Sequence, residues 1–147
     1  MEFNELIADF AARHAVDGLA ADGDSAVLDV DGIAVTLVAA NGQLAASAEI
    51  GNPPAEGAAA FADLLLEANL ASEAYFAKNP DTGQYVAVRR LPLPALDPDT
   101  FDAAIETLVN LAETWRRLLA DFRPAAQAAE AANAEPPSFG TDGFMPV

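Results

Sequence analysis

The residues that could do chemistry are few and poorly matched to one another. The chain has one histidine, His14, directly after Arg13. A histidine can act as general acid or base near neutral pH, but only with a nucleophile or substrate proton in reach. No serine stands in a nucleophile-elbow pattern, and no glycine-rich loop is built to cradle a phosphate. His14 is therefore expected at a helix end or core edge. There is no cysteine, so disulfides, thiolate catalysis and cysteine-based zinc sites are excluded.

Acidic residues are abundant, and three groups are spaced like pieces of a calcium loop. These are Asp22 with Asp24, Asp29 with Asp31, and Asp97 with Asp99 and Asp102. An EF-hand loop needs oxygen ligands at alternating positions, glycine at the sixth and glutamate at the twelfth. Counted from Asp97, the fifth position is Phe101 and the sixth is Asp102; counted from Asp22, the fifth is Ala26. Both loops fail, and turn and cap roles account for these acids. Arg89-Arg90 and Arg116-Arg117 are the only basic doublets. Adjacent residues point in different directions, so both doublets are expected on solvated faces. No catalytic residue, metal site or cofactor is expected, and the chain is not read as an enzyme.

Bulk composition narrows the partners. With 147 residues, one domain is the default. The 23 acidic and 7 basic residues give a net charge of −16. Such a charge repels phosphate backbones and argues against nucleic acid as a partner, while favouring basic partners. The start, MEFNELIADF, is acidic and amphipathic and lacks the basic, then apolar, order of a signal peptide. No apolar run approaches the roughly 20 residues of a membrane helix. A soluble, cytoplasmic protein with no membrane partner is expected.

The elements follow from periodicity. Phe3, Leu6, Ile7, Phe10 and His14 recur at helical spacing and predict one amphipathic helix over residues 2–15. Gly18 and the cluster Asp22-Gly23-Asp24-Ser25 end it. Three strands follow, over 26–30, 33–40 and 43–50, joined by Asp31-Gly32 and Asn41-Gly42. Those dipeptides favour two-residue hairpin turns, whose central residues both need positive φ. Val35 and Leu37 alternate with Thr36 and Val38, so one face is core. The other face is small and weakly apolar, more so than a wet face requires, and could be a docking surface.

Gly51-Asn52-Pro53-Pro54 breaks the sheet, and a helix is predicted from about Glu56. Phe61, Leu64, Leu65 and Ala68 form its stripe, whereas Leu66 and Leu70 lie outside it. A helix apolar on more than one side is covered on more than one side, and a second subunit could supply that cover. Strands over 75–78 and 84–91 flank Asn79-Pro80-Asp81-Thr82-Gly83, and Pro92 and Pro94 stop the ladder. Asp97 is suited to cap a final helix with Pro98 at its first position. Phe101, Ile105, Leu108, Ala112, Trp115, Leu119 and Phe122 form the stripe of that helix. From Arg123 onward alanine, proline, glutamate and glycine dominate. Residues 123–147 are expected to be a flexible tail after a domain over 1–122. The fold class is α+β: a twisted antiparallel sheet packed with three helices, in the order α-β-β-β-α-β-β-α, with the helices on one face.

Several of these pieces stand in a telling order between Phe61 and Phe101. They are Leu64-Leu65-Leu66-x-Ala68-Asn69-Leu70, the Asp81-Thr82-Gly83 turn, Leu91-Pro92-Leu93, and Leu96-Asp97 before Phe101. This set resembles the Tir-chaperone-like family, the class I chaperones of type III secretion effectors. The element order matches over residues 2–122. The resemblance implies a homodimer that binds the extended N-terminal segment of an effector and keeps it non-globular and competent for export. It implies cargo contacts on the first helix and the sheet, at Phe3, Leu6, Ile7, Phe10, Val35 and Leu37, and strand addition at a sheet edge. It implies dimer contacts at Leu66, Leu70, Tyr75 and Phe76. Two alternatives stay open: the same fold as a partner-stabilising or regulatory protein outside secretion, and a small ligand-binding domain or enzyme.

Overall fold

The computed structural model describes residues 2–124. The expected tail falls almost wholly outside them. Helix α1 spans Phe3–Arg13 and turns Phe3, Leu6, Ile7 and Phe10 inward. A reciprocal cap holds its start, in which the Glu5 carboxylate accepts from the Glu2 N–H at 3.0 Å. Strands β1 (Ser25–Val30), β2 (Ile33–Ala40) and β3 (Gln43–Gly51) form a meander. Both hairpins turn as the dipeptides demand. Asp31 and Gly32 sit at φ 55° and 82°, and Asn41 and Gly42 at 54° and 75°.

Helix α2 (Ala58–Ala68) leads to β4 (Tyr75–Lys78) and β5 (Tyr85–Pro92). A short 3-10 turn, Leu93–Ala95, precedes α3 (Pro98–Ala120). The Asp97 carboxylate accepts from the Thr100 N–H at 2.8 Å, so the cap forms as its sequence requires. That hydrogen bond holds the Asp97 carboxyl below its ordinary value.

The five strands form one antiparallel sheet in the order β1-β2-β3-β5-β4. β1 and β4 are therefore its two edges. Helices α1 and α3 cover one face, with α3 lying across β2, β3 and β5. Leu28, Val35, Leu37, Leu44, Ala46, Ala48 and Ala87 fill the sheet side of the core. Many of these are alanine, and the small side chains let α3 sit close. At the β3 bulge, Gly51 sits at φ 150°, which strains any other residue, and a Cβ there would meet Leu119 Cδ2 at 2.9 Å and displace that side chain. Arg116 Nε donates to the Glu49 carbonyl at 2.9 Å and fixes the same bulge.

Phe61 joins the second helix to the rest. It is wholly buried, stacks on Tyr85 with centroids 5.6 Å apart, and meets Trp115 and Phe122 edge-on at 5.9 and 5.1 Å. Burial in this cluster pushes the Tyr85 phenol up. The expected stripe of α2 holds for Phe61 and Leu65, but Leu64 is exposed. In the basic doublets Arg90 and Arg117 are exposed and Arg89 and Arg116 half-buried. Arg89 pairs with Glu73 at 3.5 Å and Arg90 donates to the Tyr75 hydroxyl at 2.7 Å, because the edge strand brings both acceptors alongside β5. Replacing Phe61 by alanine should cost about 3–5 kcal/mol of stability, since little nearby can collapse into the space. Chemical denaturation of the two proteins measures it.

Candidate functional site

The two edges of the sheet are built differently. At the β4 edge, the Asn69 side chain, just beyond α2, takes the place of a sixth strand. Its Oδ1 accepts from the Phe76 N–H at 2.7 Å, and its Nδ2 donates to the Phe76 carbonyl at 3.4 Å. The outward main-chain groups of Phe76 are thus occupied, which blocks strand addition there. Ser72 Oγ accepts from the Ala74 N–H at 3.2 Å and shapes the entry to the strand.

At the β1 edge, Asp22 exchanges hydrogen bonds with Ser25, at 2.7 and 3.2 Å. Alternation along an antiparallel strand then turns the main-chain groups of Val27 and Asp29 outward as well. Among the described residues neither has a main-chain partner on that side. This edge is open.

A groove lies beside the open edge, between the end of α1, the first half of α3 and the β1–β2 turn. It encloses about 630 Å³. Phe10, Val16, Val30, Ile105 and Val109 provide its apolar walls, and Asp29, Asp31, Asp102 and Glu106 its acidic ones. One end is held shut by a cluster of charged side chains. Arg13 donates to Asp102 through both terminal nitrogens and to Asp9 through Nε, and His14 Nε2 lies 3.1 Å from the same Asp102. The His14 ring also rests against Phe10, with centroids 4.4 Å apart. Hydrogen bonding from Arg13 holds the Asp102 carboxyl below its ordinary value. His14 is thus a helix-end residue in a charge cluster, with no nucleophile beside it. Among the described residues no group of metal-ligating side chains comes together.

A second apolar surface lies at the other edge, along α2. Leu66 is 64% exposed and Leu70 is 94% exposed. Leu66 borders a hollow of about 370 Å³ that is also lined by Ala58, Ala62, Leu65, Phe76 and Tyr85. Between the two edges runs the outer face of the sheet. The register lines up Val27, Thr36, Ser47, Val88 and Tyr75 in one row across all five strands. Val27 is 58% exposed there, so the weakly apolar outer face is open as the sequence indicates.

The structure redistributes the expected contact residues. Phe3, Leu6, Ile7, Phe10, Val35 and Leu37 are all buried in the domain's own core. The reason is geometric. α1 has a single apolar stripe and the sheet a single large-residue face, and both are needed to make the interior of one domain. Of the six, only Phe10 lines the groove. Phe76 is also core, with its ring 5.0 Å from that of Trp115. Leu66 and Leu70 are exposed, and Tyr75 is half-buried. Sequence reasoning missed Asp102, Glu106 and Asn69. The first two share a face with the core stripe only through the fold, whereas Asn69 carried a usable signal, a polar residue between an apolar helix and an edge strand.

The description "Tir chaperone protein (CesT) family" matches residues 5–116, most of the chain. The chain belongs to the Tir chaperone family. It is a family of non-enzymatic binding proteins associated with type III secretion. No curated protein matches in sequence. Among solved structures, the ExsC–ExsE complex contains a chain 25% identical with a TM-score of 0.70, covering 81% of this chain and 97% of that one. The HopA1–SchA chaperone–effector complex gives 18% identity and a TM-score of 0.66, covering 78% and 93%. The Yersinia pestis type III secretion chaperone SycH, bound to a fragment of YscM2, gives 19% and 0.63, covering 78% and 99%. The last two likenesses show the Tir chaperone fold in this chain.

The Arg13–Asp102 contact predicts a pH signature. The depressed Asp102 pKa contributes stability that is present above the ordinary aspartate value, about 3.9, and is lost as pH falls through the folded-state value. Asp102→Asn should melt earlier than the parent at pH 7, and the gap should close under acid conditions. Thermal melts across pH measure it.

Proposed function

We propose that this protein is a class I type III secretion chaperone: a homodimer that holds the N-terminal segment of an effector non-globular and ready for export. The observation that carries this reading is the open β1 edge beside an apolar groove, at the far side of the sheet from the exposed leucines of α2. An extended segment can add main-chain hydrogen bonds at Val27 and Asp29 while placing alternate side chains in the groove. Such pairing gives affinity without demanding a folded cargo. Main-chain bonds of this kind suit a protein that must release its client unfolded.

The surface along α2 suits the second copy. Leu66 and Leu70 are large apolar residues that no other described residue covers. Ala58, Ala59 and Ala62 on the same side of α2 extend the patch toward Phe76 and Ala77 of β4. Because α2 and β4 lie at one edge and the groove at the other, dimerisation leaves both grooves free. The solved complexes of related chaperones with their partners support this reading of the family. The acidic composition and the absence of any helix long and apolar enough to cross a membrane among the described residues fit a cytoplasmic role.

Two experiments test the proposal. Leu66→Asp with Leu70→Asp should halve the mass in light scattering while leaving the melting temperature of the monomer fold nearly intact, since neither side chain packs within the domain. An unchanged mass would remove α2 from the interface. The parent protein, captured from its native cytosol, should carry one larger protein bound through its N-terminal region to two copies of the chain. A bare dimer would instead favour a partner-stabilising role outside effector export.

A further inference from the structure

We infer that the groove beside β1 selects a basic side chain, so that the segment it receives is extended, apolar and carries a lysine or arginine at the groove. This inference rests on the chaperone reading and names the chemistry of the cargo at that site. Three observations converge on it.

The first is the distribution of charge. Asp29, Asp31 and Glu106 are exposed on the groove, and none of them makes an ion pair with a described residue. Asp29 accepts only from the Gly32 N–H of its own turn, at 3.1 Å. The nearby cation, Arg13, is already committed to Asp9 and Asp102. The lining of the groove thus holds three carboxylates that make no ion pair with a described residue and contains no lysine or arginine, while Arg116 and Arg117 line a neighbouring hollow that shares Asp31. An entering acid would be repelled, and an entering base would be drawn against an apolar wall that strengthens the attraction by excluding water.

The second is the shape of the walls. Phe10, Val16, Val30, Ile105 and Val109 accept methylene groups, and the acids stand beside them. A lysine or arginine matches this arrangement, because its stem is apolar and its head charged. The third is the neighbouring open edge. The outward main-chain groups of Val27 and Asp29 fit an extended chain rather than a free small cation.

The chain's own C-terminal segment does not have the chemistry of this occupant. Residues 125–147 contain no lysine or arginine, while Glu130, Glu135 and Asp142 are acidic. A second copy is equally ill-matched, with only 7 basic residues against 23 acidic ones. A separate protein with a basic-apolar segment is the fitting partner.

Two short synthetic peptides of alternating valine and threonine, identical except for a central lysine or a central glutamate, test the inference on the full-length protein. Backbone amide shifts in nuclear magnetic resonance report the place, and the titration reports the affinity. The lysine peptide should bind at least about tenfold more tightly than the glutamate peptide. Its shifts should centre on Val27–Gly32 and Ala103–Asn110, and its affinity should fall as salt screens the rim. Asp31→Asn combined with Glu106→Gln should remove the preference without changing the fold, since both side chains are exposed and asparagine tolerates the positive φ of Asp31. Equal affinity for the two peptides, or shifts confined to α2 or the outer sheet face, would overturn the inference. So would absence of binding by the lysine peptide. Captured effector that binds the double variant as tightly as the parent would sink the groove assignment and leave the chaperone reading standing. Lysine-selective binding with no effector captured would do the reverse.

Discussion

The packing of Phe61 between Tyr85, Trp115 and Phe122 is the contact on which the rest of the arrangement depends. Helix α2 has only two buried side chains, Phe61 and Leu65. With so little of its surface turned inward, its orientation rests on that aromatic cluster. The same cluster ties together the sheet, through Tyr85, and the last helix, through Trp115. It therefore sets which way Leu66 and Leu70 point. It also fixes where the chain leaves α2, and hence where Asn69 stands relative to Phe76.

A five-stranded sheet covered on one face leaves two edges and an outer face to be managed. This protein manages the edges unequally. Asn69 occupies Phe76 at one edge, while Val27 and Asp29 face outward at the other. An unprotected edge is a liability in an ordinary globular domain, because it pairs with any extended chain. Under the proposed chaperone function, the same feature serves as the binding site for an extended chain. The charge of −16 offsets that liability by keeping copies of the protein apart in general. It also leaves Asp29, Asp31 and Glu106 on the groove without an ion pair among the described residues. Electrostatics and hydrogen bonding thus favour the same kind of partner from different directions.

Much of the fold could be read from local chemistry. Asp31-Gly32 and Asn41-Gly42 announced both tight turns because positive φ is cheap only for such residues. Asp97-Pro98 announced α3, and the step pattern from Phe101 to Leu119 gave its buried face. Leu66 and Leu70 could be singled out because they fall off the stripe of their helix. The contact residues on α1 were read less well. Its single stripe had to serve either the core or a partner, and the need of a small domain for an interior decided it. Val35 and Leu37 lie on the large-residue face for the same reason. The groove itself was out of reach, since Asp29, Asp31 and Asp102 are brought together by packing α3 against the end of the sheet. No spacing in the chain reports that pairing. The strand order, with β5 inserted between β3 and β4, is also non-local, and the contrast between the two edges follows from it.

Hydrogen exchange measured on the protein in solution, alone and with a captured effector, addresses the central claim most directly. The account predicts that α2 and β4 are slow to exchange in both states. It predicts that cargo adds protection at the amides of Val27 and Asp29, along the groove side of α3, and nowhere on α2. Protection by cargo that centres on α2 and β4, with β1 unchanged, would contradict the assignment of the two edges.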